Sequence, residues 1–243
     1  MSMPGLFVVG TDTGVGKTFV AAAIARALVS QGLRVGVLKP VATGATRHGD
    51  ELISDDAELL AAALGQQVPR RRVVPLVFEE ALAPCVAARR AGSPLTQLQI
   101  EQATSEALAW WESCADVVVV EGIGGFLCPL AEETTVADLA VTLDYPLVIV
   151  ARRGLGTLNH TLLTVEAARR RGLRIAGIVL NAAELTTNPR AEATNAEELA
   201  RRLGGVAILA ELPHQPDTAL LSNLIVPLNW YSRSGLPRLV KRD

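Results

Sequence analysis

The 243-residue chain predicts an α/β fold: a doubly wound, mainly parallel sheet with helices on both faces. Three observations carry that expectation. Short aliphatic runs alternate with stretches of helical length from one end of the chain to the other, the pattern of repeated strand–helix units. The runs Leu6–Val9, Val117–Val120 and Pro146–Val150 are apolar throughout, as strands covered on both faces must be. Two helical stretches stop at Gly32 and Gly172, glycines that suit a helix end, and each leads into another strand.

Composition narrows the options. Apolar residues make up 49% of the chain and aromatics only 4%, so Ala, Val and Leu must build the core. The net charge of −2 gives no footprint for nucleic acid. Cys85, Cys114 and Cys128 form no CxxC pair and fit free thiols in a reducing cytoplasm. There is no basic leader segment and no apolar run long enough for a bilayer, so neither secretion nor a membrane partner is expected. One domain over 1–243 is expected, with a poorly patterned tail at 216–243.

Taken in order, Leu6–Val9 is a strand that runs into Gly10-Thr-Asp-Thr-Gly-Val-Gly-Lys-Thr18. Lys17 to Gln31 is helical. Leu33–Leu38 is the second strand and ends at Lys39-Pro40. Val41–Ser54 reads as a loop. Asp55-Asp56 opens a short helix to Leu64. Residues 65–92 look irregular, with a possible short strand in Val73–Phe78. Ser93-Pro94 reads as cap and first residue of a helix to about Ser113, with Leu98, Ala103, Ala107 and Trp110 on its buried stripe. Val117–Val120 is a strand ending at Glu121-Gly-Ile-Gly-Gly125. Thr135 caps a helix to about Leu143. Pro146–Val150, the turn Arg152–Asn159 with its helix to Arg171, Ile175–Leu180, the helix Pro189–Leu203 and the strand Val206–Ala210 complete the alternation.

In such sheets ligands sit beyond the C-terminal strand ends. Thr11–Thr18, Lys39–Thr43, Glu121–Gly125, Arg152–Asn159, Asn181 and Leu212–His214 therefore share one rim. Asp116 belongs to the opposite edge. The glycine-rich stretch on that rim is a phosphate loop. Its glycines let backbone N–H groups wrap a polyphosphate, and the helix N-terminus adds positive potential. Lys17 would reach the outer phosphates and Thr18 would hold Mg²⁺. The loop is one residue longer than the common form, with five residues between Gly10 and Gly16. Glu121, at the end of a valine strand, is placed to hold the same Mg²⁺. One of Asp55 and Asp56 would be the second acid and the other the helix cap; the reading favours Asp56 for the metal. There are 20 arginines against three lysines, Lys17, Lys39 and Lys241. A lysine kept at Lys39 suggests a task for a compact point charge rather than a planar fork, here a heavily anionic transition state.

Together these motifs resemble the dethiobiotin synthetase family, over roughly residues 5–215. The likeness rests on the lengthened loop, Lys39-Pro-Val-Ala-Thr-Gly44, Ser54-Asp-Asp-Ala57, Val120-Glu-Gly-Ile-Gly-Gly125, Leu155-Gly-Thr-Leu-Asn-His160 and the strand end at Asn181. It implies a phosphate-loop ATPase fold, ATP and Mg²⁺ as cofactors, and 7,8-diaminononanoate and CO₂ as partners in a ring closure. It places ATP on Gly14, Val15, Gly16, Lys17, Thr18, Phe19, Asp56, Glu121, Gly122, Gly124 and Asn181. The adenine would lie near Asn181 and Leu212, Pro213 and His214. The metal falls to Thr18, Asp56 and Glu121, and the chemistry to Lys17 and Lys39. The substrate goes to Thr13, Lys39 and Thr43, with Gly154, Thr157 and Asn159 reaching its carboxylate from the neighbouring subunit of a homodimer. The chain departs from many members at Ala83-Pro-Cys-Val-Ala-Ala88 and Ala191-Glu-Ala-Thr194, both near the substrate tail. His48, His160 and His214 form no metal cluster.

Two rival functions would each leave a mark on the sequence. A corrinoid-amidating ligase of the same ATPase group would need a glutaminase domain with a reactive cysteine. A regulatory ATP switch on a membrane or nucleoid would want a second lysine in the loop and a basic amphipathic tail. This sequence offers none of these.

Overall fold

A computed structural model describes residues 3–183, 189–214, 224–225 and 230. The chain opens with β1 (Gly5–Gly10), α1 (Lys17–Ser30) and β2 (Val35–Leu38). Next come β3 (Val41–Thr43), β4 (Thr46–His48), β5 (Glu51–Ile53), α2 (Asp55–Ala62), α3 (Arg70–Val73), β6 (Leu76–Phe78) and α4 (Pro84–Arg90). Beyond them run α5 (Gln97–Glu112), β7 (Val117–Glu121), α6 (Val136–Leu143), β8 (Leu147–Arg152) and α7 (Thr157–Arg170). The last described elements are β9 (Ile175–Asn181), α8 (Pro189–Arg202) and β10 (Ile208–Leu212). Most of the 216–243 tail lies outside the described residues.

Six strands form the main sheet in the order β10-β9-β8-β1-β7-β2. Every neighbouring pair is parallel, so all six C-terminal ends open on one edge. β1 and β7 are buried at every position, which is why their sequences show no polar alternation. Small and branched aliphatic residues on α1 pack against them: Val20, Ala21, Ala23, Ile24 and Ala27 have almost no exposure. At the opposite edge Arg34 pairs with Asp116 at 2.5 Å, which puts Asp116 far from the phosphate loop.

The stretch read as loop and irregular chain carries more structure than its sequence signals. β4 and β5 form an antiparallel hairpin, and β3 pairs in parallel with β6 through Val41–Leu76 and Thr43–Phe78. Three-residue strands are too short to show a period, so the pattern left no trace. The possible strand in Val73–Phe78 is present only as Leu76–Phe78, because Val73 closes α3.

Three expectations differ from the structure. α5 begins after Thr96, not at Ser93-Pro94. Thr96 accepts from the Gln99 N–H at 3.3 Å while the Gln99 side chain accepts from the Thr96 N–H at 2.9 Å. That reciprocal cap satisfies two helix-end donors, and the Ser-Pro pair offers nothing equivalent. The buried stripe is Ile100, Thr104, Ala107 and Trp111, at helical spacing. Leu98 is exposed and Trp110 only half-buried. The strand expected at Val206–Ala210 lies two residues later, so Leu212 belongs to β10.

Arginines finish the ends. The Arg169 guanidinium donates to the Leu203 and Gly204 carbonyls at 2.5 and 3.0 Å. It therefore closes the C-terminus of α8, a neighbouring helix, where a cation is favoured. Among the described residues no helix is long and apolar enough to cross a membrane.

Gly36 marks the tightest contact between sheet and α5. A Cβ there would lie 2.7 Å from the nearest Trp111 indole carbon, and Trp111 is almost wholly buried with its indole N–H tied to the Arg72 carbonyl at 3.0 Å. Gly36→Ala should therefore destabilise the protein by about 1–3 kcal/mol in a urea titration, the usual range for an overpacked core. A variant as stable as the parent would mean the α5–sheet spacing is wrong.

Candidate active site

The site is assembled at the C-terminal edge by strand register. β1 pairs with β7 so that Val8 stands opposite Glu121. β2 pairs with β7 so that Leu38 stands opposite Val120. The next residue on each, Lys39 and Glu121, must then emerge side by side. Two parallel strands thus bring together groups 82 residues apart.

The phosphate loop joins β1 to α1. Gly16 precedes α1 with φ of 87°, a left-handed conformation that other residues adopt at a cost. α1 has no side-chain cap and no acid in its first turn. Its leading N–H groups are left for an anion. Three side chains pin the lengthened loop. Lys17 Nζ donates to the Asp12 carbonyl at 3.0 Å. Arg152, at the end of β8, donates to the Thr13 carbonyl at 3.1 Å and lies 3.6 Å from the Asp12 carboxylate. Asn181, at the end of β9, donates from its amide to the Val15 carbonyl at 3.0 Å. It also lies so close to Gly16 that a Cβ there would be 2.1 Å from its amide nitrogen.

Four side chains meet just beyond Lys17. The Thr18 hydroxyl lies 2.9 Å from Asp56 and 2.7 Å from Glu121. Lys39 Nζ lies 2.5 Å from Asp56 and 2.8 Å from the same Glu121 oxygen. A hydroxyl carries one proton and can serve only one of its two carboxylates at a time. The other Glu121 oxygen, Oε2, is buried with no partner. Three hard oxygen donors with too few protons between them suit a small divalent cation. Asp55 takes no part: Asp56 faces the cluster, and the residue at the helix cap is Ser54.

Burial sets the protonation of these groups. It pushes the Glu121 carboxyl above its ordinary value, against the pull of Lys39. It would also lower Lys39, but Glu121 and Asp56 hold the ammonium above its usual value instead. Asp56 would rise on burial, yet Lys39 and Thr18 keep it below the carboxylate range. Lys17, whose strongest influence is desolvation, is lowered.

Around this cluster opens a cavity of about 930 Å³. It is lined by Thr13, Gly14, Gly16, Lys17, Thr18, Phe19, Lys39, Thr43, Asp56, Glu121, Gly124, Asn181 and His214 among the residues the sequence singled out. Val15 and Gly122 lie behind the lining and act through the backbone: Val15 accepts from Asn181, and the Gly122 N–H donates to Val8 at 2.9 Å. Leu212 is buried in β10 and Pro213 is exposed beside it; neither lines the cavity, where Ala182 and Ala183 do. The Leu212 carbonyl holds the Ala182 N–H at 3.0 Å. Gly154, Thr157 and Asn159 are not brought to this cavity. Thr157 is buried with its hydroxyl 3.3 Å from Thr161, and Asn159 is exposed.

The residues missed from sequence are those that hold the site in place. Arg152 steadies the loop. Asn195 of α8 donates to the Arg153 and Gly154 carbonyls at 2.7 and 3.3 Å, fixing the turn before α7. Cys128 lines the cavity, and burial raises its thiol. Of these only Arg152 carried a signal, its place at a C-terminal strand end.

Gly16→Ala puts a methyl group into Asn181 at a left-handed position. The expected cost is roughly 1–3 kcal/mol in the affinity for AMPPNP by calorimetry, and unchanged affinity would show that Gly16 is not a contact point.

Comparison with known proteins places the chain in a family. Residues 4–220 match the family model described as an AAA domain. The ATP-dependent dethiobiotin synthetase BioD of Anaeromyxobacter dehalogenans (strain 2CP-C) is 47% identical over 217 residues, covering 89% of this chain and 93% of that protein. The protein of the same description from Bacillus licheniformis is 38% identical over 223 residues, covering 89% and 88%. A solved structure of a plasmid partition protein candidate from Borrelia burgdorferi B31, bound to AMPPNP, superposes with a TM-score of 0.55 at 12% identity. It covers 93% of this chain and 98% of that one and shows the fold alone. With its lengthened loop, its two site lysines and relatives matched over nine-tenths of their length, this chain belongs to the ATP-dependent dethiobiotin synthetase family.

Proposed function

We propose that the chain is an ATP- and Mg²⁺-dependent cyclo-ligase that converts 7,8-diaminononanoate and CO₂ to dethiobiotin, releasing ADP and phosphate. The observation that carries the reading is Lys39, held beside Thr18, Asp56 and Glu121 on the cavity that also contains the phosphate loop. The relatives' description names the product, dethiobiotin, and the dependence on ATP.

One substrate amine takes up CO₂ and loses a proton to become a carbamate. Lys39 and the Thr43 hydroxyl receive its negative charge, with Thr13 on the near side of the loop. The loop N–H groups and Lys17 grip the triphosphate. When bound, Mg²⁺ would be held by Thr18, Asp56 and Glu121 and would neutralise phosphate charge. The carbamate oxygen attacks the γ-phosphorus and ADP leaves. Two ammonium groups around this centre favour a transition state in which two anions meet. The second amine then attacks the carbamic–phosphoric anhydride, the C–O bond to phosphate breaks, and the urea ring closes. Asn181 and His214 border the place for the base, and Gly14, Gly16 and Gly124 let backbone approach the phosphates.

We further read the enzyme as a homodimer working in the cytoplasm, the whole chain acting as one ATP-binding domain. Leu155, Leu163 and Leu127 are 82%, 58% and 54% exposed. Leu127 and Leu163 border a second cavity of about 360 Å³. An apolar surface of this kind favours a covered face. In that arrangement Gly154, Thr157 and Asn159 reach the substrate carboxylate of the neighbouring subunit, as a helix N-terminus can.

Phosphate release should need ATP, the diamine and bicarbonate together, and mass spectrometry should find dethiobiotin. Brisk release from ATP alone would favour a regulatory switch. Leu163→Glu should shift the protein from dimer to monomer in light scattering while the isolated fold keeps its circular dichroism; a dimer that survives this change puts the interface elsewhere.

A further inference from the structure

Lys39 does more in this structure than wait for an acceptor. Its ammonium occupies the space between Asp56 and Glu121, at 2.5 and 2.8 Å. Those two carboxylates and the Thr18 hydroxyl are also the oxygens that suit a divalent cation. Lys39 is only 3% exposed, and its backbone N–H is fixed to the Val73 carbonyl at 2.7 Å. The side chain, not the strand, is therefore free to choose between partners. Without a cation between them, the buried Glu121 carboxylate would face the half-buried Asp56 carboxylate as a like charge, which is costly for the buried partner. Once a cation sits on both, an ammonium at hydrogen-bond distance from the same Glu121 oxygen would be repelled by it.

We propose that Lys39 is a tethered counter-ion that is exchanged for the metal. In the metal-free enzyme it neutralises the Asp56–Glu121 pair. Arrival of the divalent cation with the nucleotide displaces its ammonium into the cavity, on the side where Thr43 stands. One positive charge thus moves to the acceptor pocket only when the metal is in place. Two consequences follow from the exchange. Free metal binds weakly without nucleotide, because it must first compete with an intramolecular cation. The acceptor pocket gains its charge only in an enzyme loaded for phosphoryl transfer, which ties acceptor binding to the nucleotide. The proposal takes the identity of the cation from the synthetase reading and does not depend on which acceptor is used.

The lysine scarcity makes the test direct. Only Lys17, Lys39 and Lys241 contribute side-chain ammonium signals, and the signal lost in Lys39→Met assigns Lys39 in ¹³C,¹⁵N-labelled protein, with through-bond correlation along the side chain as the check. In EDTA its protons should exchange slowly, as a buried paired ammonium does. Saturating Mg²⁺ and ADP should shift the signal and speed its exchange. In parallel, Lys39→Met should bind Mn²⁺ without nucleotide at least about tenfold more tightly than the parent, since the internal competitor is gone. An ammonium signal that keeps its position and slow exchange when metal is bound overturns the exchange. So does a Lys39→Met protein with unchanged or weaker Mn²⁺ affinity. Should that variant not fold, the measurement on the parent protein decides. A failure of the synthetase reading would appear elsewhere, as absence of dethiobiotin with the exchange intact.

Discussion

Glu121 is buried at the end of a strand of four valines, and the rim of the sheet is arranged around its charge. A carboxylate in that position would be driven to protonate if nothing answered it. The answer comes from parallel register. Lys39 follows the residue opposite Val120 on the adjoining strand, so its ammonium emerges beside Glu121, at 2.8 Å. Thr18 and Asp56 come from the first turns of α1 and α2, where polar groups are expected and the helix end tolerates negative charge. The ion cluster is thus a consequence of which strands are neighbours. The sheet order that buries the valines also makes the site.

The charges elsewhere on the chain obey a different economy. Surface pairs such as Arg47–Glu79, Arg90–Glu80 and Arg89–Glu132 use arginine, and all are well exposed. Such pairs contribute little to stability and serve mostly to keep the surface polar. Arginine also does the local bracing, at Arg152 on the loop and Arg169 on α8. Two of the three lysines, Lys17 and Lys39, lie buried at the site. A guanidinium is a rigid fork, suited to carbonyls and carboxylates at the surface. An ammonium is compact and can move between partners on a flexible stem. That difference gives a physical reason for the 20-to-three ratio.

Much of this was legible in the sequence, and the reason is period and polarity. Valine runs that end abruptly in Glu121 or Lys39 announce both a strand and its functional end. The Thr135 cap was equally clear, and Thr135 and Asp138 do exchange hydrogen bonds with each other at 2.8 and 3.4 Å. What escaped had no such contrast. β3 is three residues long, and its pairing with β6, a strand expected within Val73–Phe78, crosses a gap that no local pattern reveals. At the start of α5, Ser-Pro at 93–94 competed with Thr-x-x-Gln at 96–99, and the reciprocal side-chain cap prevailed. Trp110 and Trp111 are adjacent, so only the helix phase, set by that start, decides which is buried. Asn181 was placed on the rim, but its hold on Val15 is a contact across 166 residues that no spacing rule could supply. Gly154 and Thr157 sat on the predicted rim, but Asn195 holds the Gly154 carbonyl and Thr157 turns inward to Thr161, contacts that no rule of strand ends supplies.

The central claim is that Thr18, Asp56, Glu121 and Lys39 serve one metal-bound triphosphate and its acceptor. A crystal structure with Mg²⁺, AMPPNP and the diamine measures this most directly. The account predicts the metal on Thr18, Asp56 and Glu121 beside the outer phosphates, with Lys39 Nζ turned to the acceptor. A metal held by other groups, or Lys39 directed away from the acceptor, would contradict it.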